Sequence, residues 1–170
     1  DENVNKNGIH LVTVATRRGT PQIQDPGINS LSKLNCITAC IEADRAGADE
    51  GIMLDIHGNV STCNSTNFFI VKNGEVWTST GEFCLSGVTR KAVIDICQRR
   101  HIPVFQKDFR IMDVHSSNEA FITGTFAGII PAIEIDGQAI SGGKRGELTF
   151  RLQKYYSEIL THMYPEKAIK

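Results

Sequence analysis

From Val60 to Arg90 the chain spells strand, turn, strand and helix start in an order that leaves little freedom of fold. Val60 to Val71 is rich in β-branched and aromatic residues, Asn73-Gly74 is a hairpin turn, Glu75 to Thr78 returns, and Leu85-Ser86-Gly87-Val88-Thr89-Arg90 opens a helix. A glycine followed by threonine at a helix start leaves unpaired N–H groups and a hydroxyl aimed at one spot, where the helix dipole favours an anion. Gly87, Val88 and Thr89 are therefore candidate phosphate donors.

The remaining pattern extends this into one mixed domain. His10 to Thr16 alternates as a strand, and Arg17-Arg18-Gly19-Thr20-Pro21 leads through Asp25-Pro26-Gly27 to a helix. Ser30 is read as that helix's N-cap. Leu34, Ile37 and Ile41, with Ala39, Ala43, Cys36 and Cys40 on a neighbouring face, predict a buried helix ended by Gly47. Gly51 to Asp55 and Val60 to Val71 form a hairpin about His57-Gly58-Asn59, and Gly87 to Arg100 is a helix with Val88, Ala92, Val93, Ile96 and Cys97 on one side. A strand from Pro103, a short helix over Ile111 to Ser116, strands over Ala120 to Thr123 and Ile129 to Ile135, and a helix from Glu147 to Tyr164 complete the chain. Leu148, Leu152, Tyr155 and Leu160 are the predicted buried stripe of that last helix. The sum is an α+β fold with a mixed, mainly antiparallel sheet.

At 170 residues the chain fits a single domain, and its net charge of −1 without a long Lys/Arg block argues against nucleic acid or an anionic membrane as partner. A small neutral or anionic metabolite suits it better. The longest apolar run falls short of the roughly 20 residues a membrane span needs, and the polar start is unlike a signal peptide, so the expectation is a soluble, cytoplasmic protein. Five cysteines lack the paired spacing of a zinc site and read as reduced thiols, with Cys36 and Cys40 packed in the core and no metal expected.

Thr123-Gly124-Thr125 repeats the chemistry of the first loop after an apolar strand, so the two could grip one phosphate from two sides. Arg90 reads as a surface or helix-start residue and not as a phosphate clamp, and His57 as a solvated turn residue.

These residues resemble the class IV (fold type IV) pyridoxal-phosphate enzymes, which include branched-chain and D-amino-acid aminotransferases and aminodeoxychorismate lyase. The likeness covers about Ser30 to Tyr156: Gly47-Ala48-Asp49-Glu50-Gly51-Ile52-Met53-Leu54-Asp55, Asn64-Ser65-Thr66-Asn67-Phe68-Phe69, Gly74-Glu75-Val76-Trp77-Thr78, Gly87-Val88-Thr89-Arg90, Ile122-Thr123-Gly124-Thr125 and Ile135-Asp136-Gly137 match in order. The resemblance implies the family's large domain, a pseudobarrel surrounded by helices, over residues 30–164. Residues 1–29 would be its first strand and linker, and 165–170 a tail. It implies pyridoxal phosphate as cofactor, held by Gly87, Val88, Thr89, Gly124 and Thr125, with Phe126 and Ala127 beside the substrate carboxylate. It further implies amino transfer between a small amino acid and a 2-oxo acid, in a homodimer. The family's smaller N-terminal domain is not among these residues, so the chain is a fragment or half the pocket comes from elsewhere.

The pattern departs from the family at two positions. The chemistry needs a lysine that forms a Schiff base with the cofactor, and a charge near the pyridine nitrogen. Asn29 stands at the lysine position, leaving Lys33, one helical turn later, as the candidate amine. Lys33 faces inward on one reading and snorkels to solvent on the other. Thr62 stands where the family has the glutamate that pairs with the ring nitrogen, or is an ordinary strand residue. The alternative function is a non-catalytic relative that keeps the phosphate seat and has lost the Schiff-base lysine and the ring carboxylate.

Overall fold

The computed structural model describes residues 2–163. After α1 (Glu2–Asn7) and β1 (Ile9–Thr13), a long loop reaches α2 (Leu34–Arg45); β2 (Glu50–Leu54), β3 (Val60–Cys63), β4 (Asn67–Lys72) and β5 (Glu75–Thr78) come next. Then come α3 (Val88–Arg99), β6 (Val104–Gln106), α4 (Ile111–His115), β7 (Glu119–Gly124), β8 (Gly128–Ile135), β9 (Gln138–Ala139) and α5 (Glu147–Met163). Tyr164, the expected end of the last helix, and the expected tail lie outside the described residues.

Among the described residues one sheet runs in the order β3-β2-β1-β8-β7-β4-β5-β6, with β9 on β8. β1 lies parallel to β2 and β8, and β5 parallel to β6; the other pairings are antiparallel. The two ends of this order meet. Val60 N donates to Phe109 O just past β6 at 2.9 Å, and Ser79 Oγ just past β5 donates to Ser61 O at 2.7 Å. The sheet therefore curls into a half-barrel whose inner face packs Ile52, Phe68, Ile70, Ile122 and Ile135.

The outer face is covered by helices. Phe69 and Phe121, directly opposite in the β4–β7 register, stack at 4.8 Å between ring centroids and pack with Val93, Cys97 and Leu152 of α3 and α5. Burial on both faces explains why β4 reads Phe-Phe-Ile-Val without alternation. On α5, Leu152 is buried and Leu148 and Tyr155 pack partly against the core, but Leu160 is exposed.

α2 departs most from expectation. Ser30 does not cap it: the Ser30 hydroxyl accepts from Ser32 N at 3.3 Å, turning the chain locally, and the helix begins only at Leu34 after Lys33. Nor does it bury its large apolar residues. Leu34 is 78% and Ile37 52% exposed, while Ala39 and Ala43 seat the helix on Val14 and Met53. The reason is proximity, since a Cβ on Gly51 would lie 2.6 Å from Val14 Cγ1 and 3.1 Å from Ala39 O. Only small side chains fit that approach, so the large ones turn outward. Cys36 is accordingly half-buried and Cys40 exposed, and all five cysteines are free thiols. The expected single strand over Val60 to Val71 breaks at residues 64–66, where Asn64 Oδ1 accepts from Gly51 N at 2.7 Å.

Candidate functional site

Register places the site on the outer face, between α2 and α3. Thr62 stands opposite Met53 in the β2–β3 pair, and Met53 packs under α2. Asn67 stands opposite Thr123 in the β4–β7 pair, on the same face as Phe69 and Phe121 under α3. Because side chains directly opposite share a face, Thr62 lies on the face that α2 covers and Asn67 on the face that α3 covers.

At the α3 end, Gly87 is the N-cap, extended at φ −63° and ψ 140°, and no side chain caps the helix. Its first amides are left for a ligand or solvent. Asn67 Nδ2 donates to Leu85 O at 3.0 Å, and a Cβ on Gly87 would overlap Asn67 Oδ1, so glycine is required there. Thr89 is buried, whereas Val88, expected on the buried side, is 79% exposed because the first turn projects past the sheet. Thr123 is 1% exposed and its Oγ1 has no hydrogen-bond partner. The β4–β7 pairing thus brings the two glycine-threonine loops together, with Asn67 between them. Gly124 lies against Thr66, where a Cβ would come within 3.3 Å of Thr66 Cγ2.

Thr62 is buried, and its hydroxyl donates to Thr66 O at 2.7 Å. With that proton committed, Thr62 can only accept from a group placed beside it. The carboxylate nearest in sequence register, Glu50, accepts from the Ser65 hydroxyl and from Thr66 Oγ1 at 2.6 Å. Burial pushes its pKa up against those bonds, and it lies on the Cys63 side of the sheet, away from Thr62.

At the α2 end, Lys33 is exposed and its Nζ donates to Asn29 Oδ1 at 3.1 Å. Lys33 lines a small depression with Arg18, Asp25, Ser32 and Cys36. Arg18, read from sequence only as the end of a strand, braces the two halves: its Nε donates to Phe83 O at 3.0 Å and its Nη1 to Cys36 Sγ at 2.7 Å. The Lys33-bearing turn is thereby tied to the segment that enters α3.

Thr125, Phe126 and Ala127 form the tip of the β7–β8 hairpin. Thr125 and Phe126 are exposed, and the tip lines a groove of about 1180 Å³ against Gln153, Tyr156 and Arg145. Of the two readings of Arg90 the structure keeps the helix start and not the surface: it stands in the first turn of α3 and is only 6% exposed. Asn67, Arg18 and Thr123 complete the site. Asn67 and Thr123 stand in recognised motifs, but only strand pairing reveals that they meet.

A half-barrel of mainly antiparallel strands with helices on its outer face is the architecture of fold type IV aminotransferases. The amino-transferase class IV family model matches residues 1–135, and the chain belongs to that family. It is 38% identical over 155 residues to branched-chain-amino-acid aminotransferase-like protein 2 of Arabidopsis thaliana, covering 91% of this chain and 28% of that protein. It is 36% identical over 135 residues to the D-alanine aminotransferase of Listeria monocytogenes, covering 79% and 46%. Among solved structures, the T.th. branched-chain amino acid aminotransferase with pyridoxamine 5'-phosphate superposes at TM-score 0.91 and 29% identity, over 98% of this chain and 55% of that one. The Thermoproteus uzoniensis branched-chain aminotransferase with norvaline gives 0.88 and 32%, over 96% and 55%. The chain therefore spans about half or less of the relatives it matches. Among the described residues no helix is long and apolar enough to cross a membrane.

Proposed function

We propose that this protein is a pyridoxal-phosphate-dependent aminotransferase, moving an amino group between a small amino acid and a 2-oxo acid. The observation that supports the reading is the hydrogen bond from Lys33 Nζ to Asn29 Oδ1 at 3.1 Å, which holds an amine at the residue that the resemblance sets at the lysine position. Lys33 would attach the cofactor carbonyl and carry the proton to and from the substrate Cα, with Asn29 holding the free amine by an acceptor oxygen. Val88 and Thr89 would hold the phosphate from the α3 side, at the opening that Gly87 leaves while its own amide donates to Leu85 O at 2.9 Å, with Gly124 and Thr125 from the hairpin side. When bound, pyridoxal phosphate supplies the electron sink for the Cα–H bond broken in amino transfer. Thr62 would accept from a protonated ring nitrogen without supplying charge. Phe126 and Ala127 would border the substrate carboxylate.

The residues present fit the phosphate end best. The uncapped α3 amides and the unpartnered Thr123 hydroxyl are polar groups in need of a partner. The ring end lacks a carboxylate, which favours the second reading, a relative that binds the cofactor without turnover.

One titration separates them. Protein mixed with pyridoxal phosphate should develop a visible band that borohydride fixes, and Lys33→Ala should abolish the band. A band that survives Lys33→Ala removes that residue from the role; phosphate binding without any band supports the non-catalytic relative. In the same titration Thr89→Val and Thr125→Val should each weaken binding by about 1.5–3 kcal/mol, as expected for hydrogen bonds to a charged group. Unchanged affinity would take both threonines out of the seat.

We further propose a cytoplasmic homodimer. The support for the dimer is the outward apolar face of α2, Leu34, Ile37 and Ile41, continued by Leu31 in the loop before it. Sedimentation should give a dimer that Ile37→Asp converts to monomer; a wild-type monomer would refute it.

A further inference from the structure

Arg90 is a buried cation that among the described residues has no acid within ion-pair distance. Its Nη2 donates to Ser79 O at 2.7 Å and to Gln106 Oε1 at 3.0 Å, and its Nε has no hydrogen-bond partner. A backbone carbonyl and a neutral amide are its acceptors. Among the described residues the ion pairs lie elsewhere, at Lys72–Asp113, Lys91–Asp95, Arg100–Glu158 and His115–Asp136. Burial accordingly pulls the guanidinium pKa below its ordinary value.

An arrangement serving stability alone would place a carboxylate at position 106, where the acceptor oxygen already sits at bonding distance. Glutamate has the shape of glutamine, and the Gln106 side chain reaches the guanidinium from an exposed position, so an acid there would cost little desolvation. The neutral amide instead leaves a full positive charge inside the protein. That charge sits in the first turn of α3, where Arg90 Cβ lies 3.6 Å from a Cβ built on Gly87. The guanidinium lies over Gly81, in the segment that enters α3, where an added Cβ would come within 3.6 Å of Nη2. Its sign adds to that of the helix dipole.

We propose that Arg90 is a positioning residue that supplies the standing charge of the anion seat at the start of α3, and that Gln106 keeps the charge available by being neutral. The seat so built selects a phosphate dianion over a neutral ligand of the same shape. The inference rests on the anion seat of the proposed function and adds the source of its selectivity. Arg90 touches the backbone of Ser79 and acts through the field at Gly87–Thr89.

Gln106→Glu is the test, with Gln106→Ala beside it to remove the hydrogen bond without adding charge. Binding of inorganic phosphate, which needs no amine, would be measured by calorimetry at two salt concentrations, and thermal unfolding would be followed on the ligand-free protein. Gln106→Glu should weaken phosphate binding roughly three- to tenfold, the scale of one compensated charge at protein-interior screening, and flatten its salt dependence. It should also raise Tm, while Gln106→Ala lowers Tm and holds phosphate affinity within about twofold. Equal weakening by both variants would assign Arg90 to a structural staple and overturn the inference, as would unchanged affinity in Gln106→Glu. Failure of the wild-type protein to bind phosphate would overturn the seat itself, and the inference with it.

Discussion

Gly146→Ala will unfold this protein more readily than any surface change, because the position has no room for a methyl group. A Cβ there would overlap the carboxyl of Glu119. That carboxyl cannot retreat without loss. It accepts from Leu148 N at 3.0 Å, Thr149 N at 2.8 Å and Thr149 Oγ1 at 2.7 Å, so a residue at the start of β7 caps α5 from across the sheet. Glu119 and Thr149 are both buried, and water cannot take over these bonds. Either the methyl group displaces the carboxylate, or α5 lifts from the face where Leu152 packs. The expected cost is about 2–4 kcal/mol by denaturant unfolding, the sum of a lost cap and a charged hydrogen bond left unmade. Glu119→Ala should cost a similar amount, and the pair should be strongly non-additive, since the second change removes the group with which the first collides. An additive double mutant would mean that the two residues do not share one latch.

The contrast between α2 and β4 defines how far the amino-acid pattern reads the fold. Phe68 to Val71 can only be a strand buried on both faces, and the Asn73-Gly74 turn sets the register of β5 against it. Order and type of most elements come from such local constraints. The helix over Leu34–Arg45 obeys the same periodicity, yet it buries alanines and presents isoleucines. Its orientation is decided by the closeness of Gly51 and Val14, a contact between segments far apart in sequence that no local window contains. The site divides in the same way. The Gly87-Val88-Thr89 helix start and the Gly124-Thr125 loop are legible because each carries its own backbone chemistry. Asn67 between them, the Arg18 brace and the inward turn of Arg90 arise from strand register and from chain segments that meet only after folding.

Gly87→Ala is expected to abolish anion binding while leaving most of the domain folded. Gly87 adopts φ −63° and ψ 140°, which any residue can take, so backbone strain does not demand glycine. The constraint is Asn67. Its Oδ1 occupies the space of a Cβ on Gly87, and its Nδ2 is held by Leu85 O and, at 3.6 Å, by Cys84 Sγ. Asn67 is buried and would lose both of these bonds on rotating away, so the methyl group must instead push the first turn of α3 outward. Lys91 N donates to Gly87 O at 2.9 Å, and displacement of Gly87 would loosen that opening turn and tilt the amides of Val88 and Thr89 off their common target. Loss of two or more charge-assisted bonds to a phosphate corresponds to roughly 3–6 kcal/mol, at least a hundredfold in affinity. The stability cost should stay near 1–2 kcal/mol, because Val93, Ile96 and Cys97 still anchor the helix. Asn67→Ala supplies the decisive comparison. In the double variant the overlap is gone, and phosphate affinity should recover part of the loss; no recovery would mean that Gly87 is needed for its own amide geometry rather than for the space that Asn67 fills.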